Sequence, residues 1–303
     1  MSGTGGRMLV LGGSGYVGRR LAAALGPERC VATCHAAPAP GCVPFDALRD
    51  DVSALLPEGH GVSHAVVLLG DTNPVSCART PLRARTLNVE RTTQILRGLA
   101  ARGVVPVFLS SDYVFDGRRG GYVEVDPVAP LVTYGWHKAE VERFLREELD
   151  HWVVVRTAKV YDTQPDDPSL LAGWARALLA GNPVECAEDQ CFSPTLADDL
   201  VRGILRLAET DARGVYHVCG PRGHRRIDLL HMLLERLEGL LDARPVVRTR
   251  RINEFGLPEP WPVDTSLRPD KAVRELQLDP TPVEAAMDAL AARLREQRQE
   301  ETT

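Results

Sequence analysis

The stretch Met8-Leu9-Val10-Leu11-Gly12-Gly13-Ser14-Gly15-Tyr16-Val17-Gly18 joins an apolar run to a helical pattern, and it limits the fold more than any other part of the chain. Gly12, Gly15 and Gly18 fit GxxGxxG; Gly13, Gly15 and Gly18 also fit GxGxxG. Glycine permits a tight turn and lets a pyrophosphate approach the backbone, and the last glycine lets helix and strand pack closely. The helix N-terminus then offers free N–H groups and a partial positive charge. The reading is a dinucleotide-binding loop, with Gly12, Ser14, Gly15, Tyr16, Val17 and Gly18 around the cofactor.

The chain beyond Gly18 keeps the rhythm such a loop requires. Short apolar runs at Met8–Leu11, Cys30–Cys34, Cys42–Phe45, His64–Leu69, Val104–Ser110 and Trp152–Thr157 alternate with helical patterns at Tyr16–Leu25, about Leu82–Ala101 and Tyr134–Leu149. Alternation of this kind gives a parallel sheet with crossover helices, the doubly wound Rossmann plan of the α/β class. After Thr157 the rhythm loosens into helices at Ser169–Leu179, Leu196–Leu207, Ile227–Leu237 and Val283–Glu296, separated by prolines at 245, 258, 260 and 262. The expectation is a Rossmann domain over residues 1–158, with segments from about 192–220 returning to it. A smaller C-terminal substrate lobe spans 159–303, and its polar end frays from about Glu296.

Bulk properties exclude several classes. A net charge of −5 gives no basic footprint for nucleic acid. Seven cysteines with no CxxC pair argue against a disulfide framework or structural zinc, and the eight histidines show no ligand spacing, so no metal is expected. No run approaches the roughly 18 apolar residues of a membrane span, and MSGTGGR lacks the apolar core of a signal peptide. A cytoplasmic protein without a membrane partner is expected.

The second strand ends Thr33-Cys34-His35-Ala36-Ala37, without the carboxylate that would hold an NAD ribose. Arg19, Arg20 and His35 could instead meet a 2′-phosphate, so NADP(H) is expected over NAD(H); the same arginines also suit a solvated helix face. Asp46 is placed to accept from an adenine amino group, or to cap a helix that follows.

Tyr134-Gly135-Trp136-His137-Lys138 is YxxxK at a helix start, with both side chains on one face. A nearby ammonium favours a phenolate and brings a tyrosine toward working pH. Upstream, Val107-Phe108-Leu109-Ser110-Ser111-Asp112-Tyr113 puts polar residues at the C-terminal end of an apolar strand, where open α/β sheets bind ligands. Ser111 can hydrogen-bond a carbonyl there and orient it against Tyr134.

With these pieces in place the chain resembles the extended short-chain dehydrogenase/reductase family, and within it the dTDP-4-dehydrorhamnose reductases and their sugar-nucleotide-binding relatives. The matching pieces are Gly12 to Gly18, Leu87-Asn88-Val89-Glu90-Arg91-Thr92, Ser110 to Gly117, Pro130-Leu131 with Tyr134 and Lys138, Val155-Arg156-Thr157 with Val160-Tyr161, Asp189-Gln190 with Ser193-Pro194-Thr195, and Gly214 to His217. The resemblance implies NAD(P)H-dependent reduction of a keto group on a nucleotide-linked deoxy sugar. Ser111, Tyr134 and Lys138 would form the proton relay, with Asn88 supporting it. Leu69, Gly70 and Ser110 would lie beside the cofactor, together with Tyr134 and Lys138 themselves. Asp112, Tyr113, Val114, Lys159 and Gln190 would face the substrate. Similar proteins also form homodimers.

The chain departs from the family pattern in three places. Leu68-Leu69-Gly70-Asp71 stands where an Asn-Ala-Ala type stretch is usual, Lys159 where a Trp is common, and Trp261-Pro262 where an Arg-Pro pair precedes Asp-x-Ser-Leu. The cofactor end is nearly intact and the substrate end altered, which points to a keto-sugar nucleotide related to dTDP-4-dehydrorhamnose. Lys159 suits a surface position or a substrate phosphate or carboxylate. A 4,6-dehydratase would need a Glu after Asp112, where Tyr113 stands. A sugar-nucleotide epimerase, or a non-catalytic NADP-binding subunit similar to the regulatory subunit of methionine adenosyltransferase, uses the same Tyr and Lys.

Overall fold

The structure is a computed structural model and describes residues 6–242 and 244–302. Most of the MSGTGGR stretch therefore lies outside the described residues. The chain forms two compact units: Met1–Val114, Pro127–Arg156 and Val201–Tyr216 make the first, and Phe115–Asp126, Thr157–Leu200 and His217–Thr303 the second.

The first unit is built on β1 (Arg7–Leu11), α1 (Tyr16–Leu25), β2 (Cys30–Cys34), β3 (Cys42–Pro44), β4 (Val62–Val67), α2 (Pro74–Arg79), α3 (Pro81–Arg85), α4 (Thr92–Ala101), β5 (Val105–Ser111), α5 (Thr133–Glu148) and β6 (Val153–Thr157). A strand made much later, Gly214–His217, completes a seven-stranded sheet beside β6, in the order (Gly214–His217)-β6-β5-β4-β1-β2-β3. β1 pairs in parallel with β2 and β4, β2 with β3, and β4 with β5. The chain thus winds outward from β1 in one direction and then, from β4, in the other, which is the Rossmann order with its switch point between β1 and β4.

Both faces of this sheet are covered, which is why its strands read as apolar runs rather than alternating ones. Leu9 and Leu11 pack with Val67, Phe108, Leu96, Leu99 and Leu145 on one side, while Met8, Val10 and Val66 are equally buried. Each such side chain contributes roughly 1.5–3 kcal/mol. β4 stops two residues earlier than the apolar run suggests. Leu68 still donates to the Leu11 carbonyl (3.0 Å), but Gly70, at φ +137°, turns the chain away.

The helix expected over Leu82–Ala101 is not uniform. Between α3 and α4, Thr86–Arg91 winds with wider i→i+5 turns. The Thr92 hydroxyl bonds the Leu87 carbonyl (2.9 Å), the same five-residue reach. Such an insertion rotates the side chains of the next turn and recurs at functional sites; here it buries Asn88 and Val89.

The second unit contains β7 (Val160–Tyr161), α6 (Leu170–Leu179), β8 (Val184–Ala187), β9 (Cys191–Phe192) and β10 (Thr195–Leu196). α7 (Ala197–Glu209) has residues of both units, and β11 (Gly214–His217) is the late strand of the large sheet. Then come β12 (His224–Arg225), α8 (Arg226–Leu237), β13 (Val247–Arg250), α9 (Asp270–Leu276) and α10 (Val283–Thr302). Three two-stranded pairs, β7–β10, β9–β12 and β8–β13, frame a core of Trp174, Leu178, Leu230, Leu233, Met287 and Leu290. α10 continues past Glu296, where fraying was expected, to Thr302. Arg298 ties its last turns down by donating to the Leu240 carbonyl and pairing with Asp242 (2.6 Å).

Candidate active site

The glycine loop closes over the carboxyl end of β1. Gly12 sits at φ +90°, Gly15 N–H donates to the Gly12 carbonyl (3.0 Å), and Gly15 caps α1 without a side-chain hydrogen bond. A Cβ on Gly13 would lie 2.6 Å from the Ala32 Cβ, and one on Gly18 would collide with the Gly12 carbonyl oxygen. The positions must therefore be glycine for the backbone of β1, α1 and β2 to meet. The buried Thr33, which sequence reasoning passed over, holds the loop from β2: its hydroxyl accepts from Gly12 N–H (3.1 Å) and its carbonyl from Ser14 N–H (3.3 Å). Tyr16 and Val17 open α1, half-buried. The loop fits a bound pyrophosphate: its backbone is stripped of Cβ atoms, and the helix behind it carries no acidic residue in its first turn.

At the β2 end of the loop, His35 is exposed, with Nε2 3.8 Å from Asp46. Asp46 Oδ1 accepts from Leu48 N–H (2.9 Å) within a turn, and Arg49 lies 3.5 Å from its other oxygen; the helix that follows, Val52–Leu55, is capped by Asp51 and not by Asp46. Arg20 is folded back over the Tyr16 ring (4.1 Å) and donates to the Tyr16 carbonyl; Arg19 is exposed on the same helix.

The loop after β4 is gripped by Asn88. Its Oδ1 accepts from Asp71 N–H (2.7 Å) and its Nδ2 donates to the Asp71 carbonyl (2.9 Å), so a side-chain amide pairs with backbone as a neighbouring strand would. Asn88 Nδ2 also lies 3.4 Å from His137 Nδ1. A Cβ on Gly70 would approach Asn88 Oδ1 to 2.8 Å. Leu69 packs on the apolar core.

The tyrosine and lysine lie on the buried face of α5, which carries Tyr134, His137, Lys138, Val141, Glu142 and Leu145. Gly135, missed in the sequence, makes the approach possible: a Cβ there would strike the Tyr113 carbonyl oxygen and sit 3.1 Å from Pro130. Tyr134 reaches Ser111, which hydrogen-bonds it, and its ring meets that of Tyr113 edge-on at 6.2 Å. The Ser111 hydroxyl also donates to Asp112 (2.9 Å) and accepts from Tyr113 N–H (3.2 Å). Asp112, Tyr113 and Val114 form one short turn, all buried. Burial, reinforced by the charge of Asp112, pushes the Tyr134 phenol well above its ordinary value, while the Ser111 hydrogen bond pulls the other way.

Lys138 is 7% exposed. Its Nζ donates to the Leu109 carbonyl (2.7 Å) and lies 4.5 Å from the centre of the Phe108 ring and 5.7 Å from that of Tyr134. Burial lowers its pKa to about 8, against the charge of Glu142, which raises it. Ser110, expected beside the cofactor, turns its hydroxyl to Glu142 (2.5 Å). Lys159 and Gln190 belong to the second unit. Lys159 is exposed beyond β6, and its carbonyl accepts from Thr195 N–H (2.9 Å). Gln190 is buried, with its carbonyl and amide oxygens both accepting from Arg226 (2.7 and 3.1 Å). Among the described residues no group of His, Cys, Asp and Glu is placed to hold a metal ion, and no helix is long and apolar enough to cross a membrane.

Known proteins share both this sequence pattern and this fold. Residues 6–296 match the family model described as the RmlD substrate binding domain. A dTDP-4-dehydrorhamnose reductase of Streptomyces griseus is 32% identical over 72% of this chain and 71% of its own length. A probable low-salt glycan biosynthesis reductase of Haloferax volcanii is 27% identical over 59% of this chain, and the match spans 65% of that relative's length. A dTDP-4-dehydrorhamnose reductase of Mycolicibacterium smegmatis is 28% identical over 94% of this chain and 85% of its own length, whereas the match to that of Sinorhizobium fredii spans 49% of the relative. A hypothetical dTDP-4-dehydrorhamnose reductase from Sulfolobus tokodaii superposes with a TM-score of 0.80 over 92% of this chain and 98% of its own, at 24% identity. One from Bacillus anthracis, in complex with NADP, superposes with a TM-score of 0.79 over 95% of this chain and 99% of its own, at 22% identity. At those identities the superpositions speak for the Rossmann-type α/β fold, while the family model covers nearly the whole sequence: the chain belongs to the RmlD substrate-binding-domain family.

Proposed function

We propose that this chain is an NAD(P)H-dependent reductase of a keto group on a nucleotide-linked deoxy sugar. The observation that carries the reading is the buried Tyr134, hydrogen-bonded to Ser111 at the carboxyl end of β5 and followed one helical turn later by Lys138, in the same unit as the glycine loop. The reductases named among its relatives support it, as does the NADP complex of a protein with the same fold.

The nicotinamide cofactor, held by Gly12 to Gly18, would supply a hydride to the carbonyl carbon. The chain supplies the proton. Tyr134, kept protonated by burial and by Asp112, gives its phenolic proton to the carbonyl oxygen as that oxygen becomes an alkoxide. Ser111 orients the carbonyl and receives the phenolate with a hydrogen bond. The Lys138 ammonium lowers the cost of that phenolate by its charge. The exposed side chains of Arg19 and His35 support a reading in which they would meet a 2′-phosphate, with NADPH as the reductant. Lys159 and Gln190 are the second unit's candidates for meeting the nucleotide sugar, with Lys159 taking an anionic group.

The test compares wild type with Tyr134→Phe across a panel of keto-sugar nucleotides with NADPH and NADH. Loss of the proton donor should lower kcat by roughly 10²–10⁴-fold with little change in KM. Equal activity of the two proteins would sink the mechanism. Binding of NADPH by a wild type that turns over none of the panel would favour a non-catalytic binding subunit instead.

A further inference from the structure

Lys138 and Arg156 are the buried lysine and arginine side chains of the described residues, at 7% and 1% exposure. The buried carboxylate of Glu142 is paired with Arg156 (2.6 Å). Glu142 follows Lys138 by one turn of α5, so the two side chains share a helix face. Its Oε1 accepts from the Ser110 hydroxyl at the end of β5 (2.5 Å) and from Arg156 Nε on β6 (3.0 Å); its Oε2 accepts from Arg156 Nη2 (2.6 Å). Three elements are thereby tied to one carboxylate, and two of them carry the proposed relay.

A buried ion pair is a weak device for stability, because an apolar pair of the same volume often does as well. A pair that serves a third charge is different. Lys138 donates to the Leu109 carbonyl and otherwise lies against the Phe108 and Tyr134 rings. The carboxylate acting on it is Glu142 from α5, with the titratable Cys77 thiol of α2 nearby and Arg156 of β6 paired to Glu142.

We propose that Glu142, clamped by Ser110 and Arg156, is a positioning residue that secures the Lys138 ammonium beside Tyr134. Its carboxylate supplies the negative charge that the buried ammonium lacks. The clamp stops that carboxylate from swinging onto Lys138 and drawing it away from the Leu109 carbonyl. The inference rests on the reductase reading for its catalytic meaning, but the ionisation of Lys138 can be followed without turnover.

The experiment is a pH titration of protein with 13C-labelled lysine, with the Lys138 signal assigned by its loss in Lys138→Met. Glu142→Gln still offers Ser110 an acceptor oxygen, that of its amide, and removes the charge. It should lower the Lys138 midpoint by about one pH unit or more from its wild-type position, with the alkaline limb of the kcat profile moving down alongside and KM holding. Ser110→Ala removes one tether and leaves the charge, so the midpoint should stay in place. If Glu142→Gln does not fold, Glu142→Met with Arg156→Met removes both charges together and should show a smaller downward move, because loss of the Arg156 cation offsets part of the loss of the carboxylate. A midpoint unchanged within about 0.3 unit in the folded variant would reduce Glu142 to a structural brace and overturn the proposal. A protein that turns over no keto sugar yet shows the midpoint shift would refute the reductase reading and leave this one standing.

Discussion

Tyr134 and Lys138 are shifted in opposite directions by one cause, the removal of water from both. The phenol keeps its proton and the ammonium gives its proton up more easily, to about 8. For keto reduction both shifts have consequences. On the proposed mechanism a protonated Tyr134 is the acid and a charged Lys138 stabilises the phenolate left behind, so the rate of reduction should fall as pH rises through about 8. An initial-rate profile at saturating reductant checks this; a flat profile to pH 10 would contradict it. The same shift weighs on stability. The unfolded chain binds the Lys138 proton more tightly than the folded one, so the penalty is present in full below pH 8 and relieved as pH rises past 10.5. A shift of this size is worth roughly 3 kcal/mol. Lys138→Met should therefore stabilise the protein at pH 7 by roughly 2 kcal/mol, after about 1 kcal/mol for the lost bond to the Leu109 carbonyl, while abolishing activity. Urea unfolding at pH 7 and pH 10 measures it, and the gain should shrink at the higher pH. The pair was legible in the sequence because Tyr and Lys are four apart on one helix and follow a strand that ends in serines. Glu142 and Arg156 were not: they are fourteen residues apart on different elements, and a Glu and an Arg in a helix and a strand read as ordinary surface charges until a fold buries them.

At the scale of elements, α5 owes its position to a missing side chain. The contact of Gly135 with the Tyr113 carbonyl brings the first turn of the helix against the Asp112–Val114 turn. Gly135→Ala should be a good helix substitution by propensity, worth up to about 1 kcal/mol in isolation. Here it should instead destabilise the protein and lower kcat at least tenfold, by pushing Tyr134 away from Ser111 (about 1.4 kcal/mol on the barrier). Thermal melting together with kinetics decides between the two, and a stabilised, fully active variant would refute the packing argument. The sheet strands were legible because runs such as Met8–Leu11 are buried on both faces. The broad turn at Thr86–Arg91 was not, since the apolar pattern of Leu87, Val89, Ile95, Leu96 and Leu99 tolerates one extra residue per turn without breaking. Only the Asn88 amide, paired to the backbone of Asp71, shows why the turn is there.

For the molecule as a whole, the cofactor loop makes ligand-linked stability a direct measurement. A ligand bound only by the folded state at a hundred times its Kd adds about 2.7 kcal/mol. NADPH should raise the melting temperature more than NADH at equal concentration, through Arg19 and His35. Equal shifts would remove the argument for a 2′-phosphate preference, and Gly18→Ala, whose Cβ would meet the Gly12 carbonyl, should show neither shift. Phe115–Asp126 leaves the first unit and Pro127–Arg156 rejoins it without any change in composition to mark the exits, so these crossings could not be read from the sequence.

The late strand of the sheet carries a consequence for biosynthesis. β6 ends at Thr157, and its partner begins only at Gly214. At roughly 5–20 residues per second, a ribosome needs about 3–11 s to make the intervening stretch. During that time β6 presents an unpaired apolar edge, the kind that templates association between nascent chains. Chains released near residue 210 should accordingly collect in the insoluble fraction, whereas chains extended past His217 should not, and a pelleting assay on stalled or truncated products distinguishes the two.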